Sequence, residues 1–188
     1  MIRVRISLAV LLVAAAAPAT TYGAEMPSTL KIAKQELRLN GKGTRSKYMI
    51  SVYEAGLYLA QPIQQAKLIL DVDEWMAIRI VINSKMVSQQ KLVDSLQKGF
   101  DNSTGGNTRS IQKEIDQFRG CFTDEITLGD TFDFVYAPSH GVVVLKNGQQ
   151  KGRIAGMQFK QALFGIWLGE RPADAGLKVA LLGTGTRR

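Results

Sequence analysis

The side chains that most often do chemistry are scarce in this sequence. His140 and Cys121 are the one histidine and the one cysteine among 188 residues. A single imidazole and a single thiol cannot supply the several His or Cys ligands of a zinc, c-type haem or iron–sulfur site. We therefore expect no resident metal or cofactor and no internal disulfide. The fold must then depend on a hydrophobic core, which a chain of this length with 45% apolar residues can build.

Neither of these two residues is predicted to be catalytic. His140 lies in the segment PSHG, residues 138–141, between two predicted strands. A Ser–His pair needs a third group and a nucleophile within reach of the base, whereas adjacent residues in a tight turn point apart. Cys121 stands beside Phe122 after a predicted helix, and a lone cysteine is more often buried than reactive. We expect a surface turn at His140 and a buried thiol at Cys121.

Two basic segments are better candidates for a binding site. The segment GKGTR, residues 41–45, lacks the rest of a phosphate-binding Walker sequence, and we interpret it as a hairpin turn that delivers Arg45 to the start of a strand. Further along, one polar face of a predicted helix carries four residues at helical spacing: Lys91, Asp94, Ser95 and Lys98. This face is either solvated, with Lys–Asp pairs, or it holds two lysines over a cleft that attracts an anion.

The positive charge of the chain is spread out rather than gathered into one basic run. The formal net charge is +8. No nucleic-acid-binding signature accompanies it, so we expect no nucleic-acid partner. An anionic membrane surface is the electrostatic partner that such a charge fits better. No oligomeric state is predicted.

The N-terminus has the three-part pattern of a secretory signal peptide. Arg3 and Arg5 precede an uncharged apolar stretch, residues 6–17, which is shorter than the roughly 20 residues that span a bilayer. Small residues then offer three cleavage points: Ala19, Gly23 and Ala24. We predict that residues 1–24 are removed, that the protein is exported to the periplasm of a bacterium with two membranes, and that residues 25–188 form a single domain.

The hydrophobic pattern of that domain predicts strands first, then two helices, then strands and helices again. Asn40-Gly41 is a turn signal between a strand region at 29–39 and a strand at 48–60, and Asn147-Gly148 is the strongest hairpin signal. A short helix at 64–70 and a buried strand at 75–82 precede the helix that Ser88 caps. The remaining predicted elements are a helix through 111–122, strands at 131–137, 141–146 and 151–154, a helix through 159–167 and a short helix at 174–182. This order indicates an α+β fold with an antiparallel sheet and helices on one face.

The segment GKGTRSKYMISVYEAGLYLA, residues 41–60, resembles the chalcone isomerase-like proteins, in the bacterial branch that carries a signal peptide. Further matches follow in order along the chain: GVVVLKNGQ (141–149), GRIAG (152–156), ALFGIWLG (162–169) and LLG (181–183). The resemblance implies an open-faced β-sandwich, in which helices cover one face of a large antiparallel sheet and a ligand cleft lies between the two layers.

The resemblance also implies the residues of the cleft. Plant chalcone isomerases and the related plastid fatty-acid-binding proteins both place an Arg after a Gly-x-Gly-x motif, and Arg45 matches it. At the next cleft position the isomerases have a Thr and the fatty-acid binders a Tyr, and Tyr53 stands there. Lys91 and Lys98 match a Tyr and an Asn of the isomerases, and Gly165 matches a hydroxyl residue. These departures argue against chalcone isomerase activity.

The implied Arg–Tyr pair requires the chain to bend. Arg45 and Tyr53 are eight positions apart, which is about 26 Å along a straight strand. They can share one ligand only if the chain bends between them, near Ser46-Lys47.

Three functions remain open at this point. We expect first a non-enzymatic protein that binds a fatty acid or a similar amphipathic carboxylate through four ligand-binding residues, Arg45, Tyr53, Lys91 and Lys98. The alternatives are an isomerase or lyase for a phenolic or enone substrate, and a structural or partner-binding envelope protein without a pocket.

Overall fold

The computed structural model describes residues 26–185, in which seven strands form one antiparallel sheet. The strands are β1 (Thr29–Ile32), β2 (Gln35–Lys47), β3 (Ile50–Leu59), β4 (Met76–Ile82), β5 (Thr131–Ala137), β6 (Gly141–Lys146) and β7 (Gln149–Ile154). The helices are α1 (Ala66–Asp71), α2 (Gln89–Ser103), α3 (Gln112–Arg119), α4 (Met157–Leu168) and α5 (Ala175–Leu181), with a 3₁₀ turn at Arg109–Ile111. Strand order follows chain order, so the sheet is a meander. The predicted signal peptide, residues 1–24, lies outside the described residues.

The main core lies between the helices and one face of the sheet. Side chains alternate along a strand, and in β3 the residues Tyr53, Ala55, Leu57 and Leu59 all point to this core. Aromatic rings from the two layers fill its centre. Phe134 of β5 stacks on Trp167 of α4 with ring centres 5.8 Å apart. Within residues 26–185, every buried apolar residue of a helix belongs to this main core and none to the cluster on the opposite face of the sheet. The helices therefore cover one face, as the α+β prediction requires.

The second face of the sheet carries a smaller apolar cluster and a buried ion pair. Leu37 and Tyr58 belong to the cluster, and the Tyr58 hydroxyl donates to the Pro27 carbonyl at 3.0 Å. Beside them the Arg79 guanidinium binds both carboxylate oxygens of Asp133, at 2.7 and 2.9 Å. This face is therefore partly apolar. Within the described residues, no helical side chain belongs to its cluster.

Several local predictions are confirmed at the level of single residues. The Ser88 hydroxyl caps α2 by accepting a hydrogen bond from the Lys91 amide, at 3.3 Å. The β6–β7 hairpin turns at Asn147-Gly148, where both residues have positive φ values of 49° and 77°. That backbone is the left-handed pair that a two-residue hairpin turn requires.

No helix within residues 26–185 is both long enough and apolar enough to cross a membrane.

The turn predicted at Asn40-Gly41 is wrong. β2 continues through these residues, and Asn40 is the extra residue of a β-bulge between the pairs Leu39–Tyr58 and Gly41–Leu57. The Asn40 side chain binds distant backbone instead: its amide donates to Ile63 O at 3.0 Å and to Leu181 O at 2.9 Å. A Cβ on Gly41 would lie 2.1 Å from the Ala180 carbonyl oxygen, so the glycine admits the end of α5.

The chain reverses eight residues later, at Tyr48-Met49. Lys47 pairs with Ile50 across this two-residue turn, and the strand predicted from residue 48 begins at Ile50. The segment 41–45, interpreted as a hairpin turn, is therefore strand, and Arg45 lies near the end of β2 rather than at the start of a strand. The signal was misleading because Asn and Gly also suit a bulge against which another element packs.

Candidate functional site

Arg45 and Tyr53 are direct neighbours across the β2–β3 hairpin. They form one register pair of the two strands, and the Arg45 guanidinium carbon lies 5.7 Å from the centre of the Tyr53 ring. The predicted bend exists, but it is the full reversal at Tyr48-Met49 and not a bend at Ser46-Lys47. The separation expected for a straight strand therefore does not apply, and the two side chains share one site.

The Tyr53 hydroxyl is held in a protonated state with its hydrogen available. Trp167 Nε1 donates to the Tyr53 oxygen at 2.9 Å, and the Tyr53 hydroxyl donates to no side chain or carbonyl among the described residues. The side chain is 3% exposed. Burial raises the pKa of Tyr53 above its ordinary value, although the nearby charge of Arg45 opposes the increase. A neutral phenol in this position can donate a hydrogen bond to an acceptor in the cleft.

The Arg45 guanidinium is positioned from the helical layer. Its Nη1 donates to the Ser95 hydroxyl of α2 at 2.9 Å. A guanidinium carries five N–H groups, so several remain for a ligand. Ser95 and Trp167 were not predicted as site residues. Ser95 belongs to the polar helix face seen in the sequence, whereas nothing in the sequence marks the indole of Trp167 as the partner of a tyrosine.

Lys91 and Lys98 lie on α2 at the border of the same cleft, and both are exposed. Lys91 Nζ donates to the Met86 carbonyl at 3.1 Å, and Lys98 forms no hydrogen bond or ion pair with any described residue. The Lys–Asp pairs of the solvated-face alternative are absent from the described chain, because Asp94 accepts from Gln90 instead. The four predicted site residues thus surround one cleft, and their role in binding stays a prediction.

The cleft has a volume of about 740 Å³, within the range of small-molecule pockets. It lies between the β2–β3 hairpin, α2 and the segment Pro172-Ala173 before α5. Apart from the polar groups described above, much of its wall is apolar: Ile50, Val52, Met86, Val87, Leu92, Pro172 and Ala173. Such a cleft can bury an alkyl chain or a ring while Arg45 and Tyr53 bind an anionic or carbonyl oxygen.

The other residues singled out in the sequence lie elsewhere. His140 is exposed in the β5–β6 turn, with Nδ1 2.8 Å from the Pro138 carbonyl, and Cys121 is buried, as predicted. Burial raises the pKa of the Cys121 thiol, which makes it less reactive. Gly165 does not line the cleft: a Cβ there would lie 3.1 Å from Cβ of Ser103. Within residues 26–185, no group of three or more His, Cys, Asp and Glu side chains could hold a metal ion.

The fold is shared with a known structure. A crystal structure of a fatty-acid-binding protein of Arabidopsis thaliana superimposes with a TM-score of 0.63 over 85% of this chain and 91% of the other. The sequences are 20% identical over this likeness. No curated protein matches the chain in a sequence comparison. A family model described as chalcone isomerase-like matches residues 18–183. Because this match covers most of the sequence, the chain belongs to the chalcone isomerase-like family.

Proposed function

We propose that this protein binds a fatty acid or a similar amphipathic carboxylate, without catalysing a reaction, in the cleft between the β2–β3 hairpin and α2. The observation that carries the proposal is the Arg45–Tyr53 pair, which presents a cation and a phenolic donor at an otherwise largely apolar cleft. The fold it shares with a plant fatty-acid-binding protein supports the same proposal.

Each part of such a ligand has a matching surface. Burial of an alkyl chain against the apolar wall contributes about 0.8 kcal/mol per methylene. The carboxylate accepts charge-assisted hydrogen bonds from Arg45 and a hydrogen bond from Tyr53. Lys91 and Lys98 add positive charge at the border, which attracts an anion from solution but contributes less once solvent screens it.

The chemistry of the pair favours binding over catalysis. A tyrosine whose pKa is raised by burial is a poor base near neutral pH. Tyr53 also stands where, by family resemblance, the isomerases have a threonine. An isomerase would instead use Arg45 to stabilise a phenolate or enolate, which a turnover assay with chalcones detects.

The binding experiment compares palmitate with hexadecanol, which has the same alkyl chain and no carboxylate. Displacement of a fluorescent fatty acid gives both affinities. We expect palmitate to bind at least about tenfold more tightly, because hydrogen bonds to a charged group contribute about 1.5–3 kcal/mol. Equal affinities would contradict the carboxylate site, and chalcone turnover above background that depends on Arg45 would replace binding by catalysis. Native mass spectrometry of the purified protein identifies any lipid that remains bound.

We also propose that the protein is exported and works in the periplasm, on the basis of the signal-like pattern of residues 1–24. N-terminal sequencing of the protein from a periplasmic fraction tests this. A mature N-terminus after Ala19, Gly23 or Ala24 supports export, and an intact Met1 in the cytoplasmic fraction contradicts it.

A further inference from the structure

The tip of the β2–β3 hairpin combines two unfavourable features. Tyr48 and Met49 form its two-residue turn with φ values of 51° and 65°, in the left-handed region that large side chains avoid. Tyr48 is also 87% exposed, and Met49 is fully exposed. A bulky apolar pair in such a turn adds nothing to the core, and a strained conformation of this kind is typical of functional sites.

The same chain contains the ordinary solution for this turn. The β6–β7 hairpin makes a two-residue turn of the same kind with Asn147-Gly148, and their φ values of 49° and 77° suit those residue types. Hairpin formation therefore does not explain an aromatic residue and a methionine at positions 48 and 49. Their presence on the surface calls for a partner.

Two further exposed apolar side chains line the same cleft as Tyr48. Ile50, next to the turn, is 44% exposed, and Met86, between β4 and α2, is 59% exposed. We call Tyr48, Met49, Ile50 and Met86 the tip patch. It combines the exposed end of the β2–β3 hairpin with Met86 from the segment between β4 and α2, at one border of the cleft.

The charges around the tip patch are mainly positive. Lys47 Nζ lies 5.5 Å from the centre of the Tyr48 ring, and Lys85 directly precedes Met86 and is exposed. Among the residues that line the cleft, four cations accompany one carboxylate, Asp94. An apolar centre with a lysine border matches the surface of an anionic bilayer, where apolar side chains enter the acyl boundary and ammonium groups meet lipid phosphates.

We propose that the tip patch docks the protein on the surface of an anionic lipid bilayer. Tyr48, Met49, Ile50 and Met86 enter the interface, and Lys47 and Lys85 bind lipid phosphates beside them. Docking in this way turns the cleft mouth toward the lipid, so an amphipathic ligand can pass between bilayer and cleft without crossing water. Three of the four patch residues, Tyr48, Ile50 and Met86, also line the cleft, but docking on a bilayer requires no ligand in the cleft and therefore does not depend on the proposed function.

The test is cosedimentation of the purified protein with vesicles of phosphatidylglycerol and phosphatidylethanolamine, in comparison with phosphatidylcholine vesicles, with no fatty acid present. The decisive variant is Tyr48→Asn with Met49→Gly, which gives the turn the residues of the β6–β7 turn and should preserve or raise the melting temperature. The matched control is Leu68→Gln, which removes an exposed leucine of α1. α1 follows the far end of β3, about 30 Å along the strand from the tip. Any contribution of residues 1–24 to vesicle binding is the same in the wild type and in all variants, so it does not affect the comparison.

We expect the wild type to bind the anionic vesicles. Its partition coefficient for the neutral phosphatidylcholine vesicles should be at least about tenfold lower. The Asn-Gly variant should lose at least about tenfold in partition coefficient, while Leu68→Gln binds as the wild type does. Lys47→Gln with Lys85→Gln should weaken binding and reduce its dependence on salt.

Three results would overturn the proposal: no binding of the wild type to anionic vesicles, equal binding by the Asn-Gly variant, or a tip-dependent self-association in gel filtration without vesicle binding. The last result would assign the patch to a protein contact. Since the vesicle assay contains no fatty acid and the palmitate assay contains no vesicles, failure of the docking and failure of the proposed function are separate outcomes.

Discussion

Arg45 lies directly opposite Tyr53 across the β2–β3 hairpin, with its guanidinium carbon 5.7 Å from the centre of the tyrosine ring. The pair is supported from both layers of the fold, because Ser95 of α2 accepts from the guanidinium and Trp167 of α4 donates to the phenol. A cation over an aromatic ring is stabilised by about 0.5–1 kcal/mol at an accessible position. The donors are thus in place before any ligand arrives, which lowers the ordering cost of binding.

The charge of Arg45 should be the main contributor to carboxylate affinity. For Arg45→Gln we expect palmitate to bind at least about tenfold more weakly, since a hydrogen bond to a charged group is lost. Hexadecanol affinity should change little, because the alcohol carries no charge. Fluorescent displacement measures both ligands on the same variant.

The control for this variant is Arg38→Gln, which removes an exposed arginine from the same strand. Arg38 pairs with Leu59 near the other end of the hairpin and is not part of the cleft lining. It should leave both affinities unchanged. If the two variants lose palmitate affinity equally, the effect comes from net charge, and the assignment of Arg45 is wrong.

Tyr53→Phe should affect both stability and binding. It removes the acceptor of the Trp167 indole, which leaves a buried N–H unpaired and lowers the free energy of unfolding by about 1–2 kcal/mol. It also removes a donor to the carboxylate, so palmitate should bind several-fold more weakly. Urea unfolding and fluorescent displacement measure the two effects.

Tyr58→Phe separates these effects. Its hydroxyl donates to Pro27 on the other face of the sheet, so its loss should destabilise the protein to a similar degree. Palmitate affinity should not change. A comparable loss of affinity in Tyr58→Phe would mean that Tyr53 acts through stability alone.

Lys160 is a buried lysine with a structural role that no local pattern in the sequence indicates. It is fully buried in α4, and its ammonium donates to three carbonyls at the end of α1, those of Ile69, Leu70 and Val72, at 2.7–2.9 Å. Lys160→Met leaves these acceptors unpaired, so we expect the free energy of unfolding to fall by about 3 kcal/mol or more.

The matched control is Lys178→Met, which removes one hydrogen bond, to the Gly169 carbonyl at 2.8 Å, from a half-buried side chain. Its cost should be about 1 kcal/mol. Urea unfolding of both variants gives the comparison. Equal losses would show that the three carbonyls find other partners when the ammonium is absent.

Asp130 should make stability depend on pH in the acid range. Burial alone would raise the pKa of this carboxyl, but donors from Asn147, Thr127 and Lys146 outweigh that effect and lower the pKa below its usual value. A lowered carboxyl pKa stabilises the fold at pH values above the ordinary Asp value of about 3.9, and this stabilisation is lost as pH falls below that value and through the lowered pKa of the folded state. Asp130→Asn should therefore show a smaller loss of unfolding free energy between about pH 5 and pH 3 than the wild type. Urea unfolding at both pH values measures this loss, and an equal loss in the variant and the wild type would contradict the assignment.

Much of the fold follows from local patterns. Ser88 before an apolar helical stripe predicts α2, and Asn147-Gly148 between apolar runs predicts the β6–β7 hairpin. Both are confirmed because each is a short-range preference that nothing distant opposes. The family resemblance, together with the order of strands and helices, was sufficient for the α+β fold.

The candidate site was only half predictable. Arg45, Tyr53, Lys91 and Lys98 were identified by resemblance, and all four surround the cleft. The contacts that orient the pair, from Ser95 and Trp167, join residues 50 and 114 positions apart. No periodicity or local motif reports a contact at that separation.

The sequence by itself determined the helices that carry their own caps and apolar stripes, the Asn-Gly hairpin, and the residue types able to bind a carboxylate. Only the tertiary structure decided where β2 ends. A local turn preference at Asn40-Gly41 is a matter of about 1 kcal/mol. It is outweighed by the continued pairing of β2 with β3 and by hydrogen bonds from Asn40 to backbone 23 and 141 positions away. That outcome moves the reversal to Tyr48-Met49, and the reversal in turn brings Arg45 opposite Tyr53.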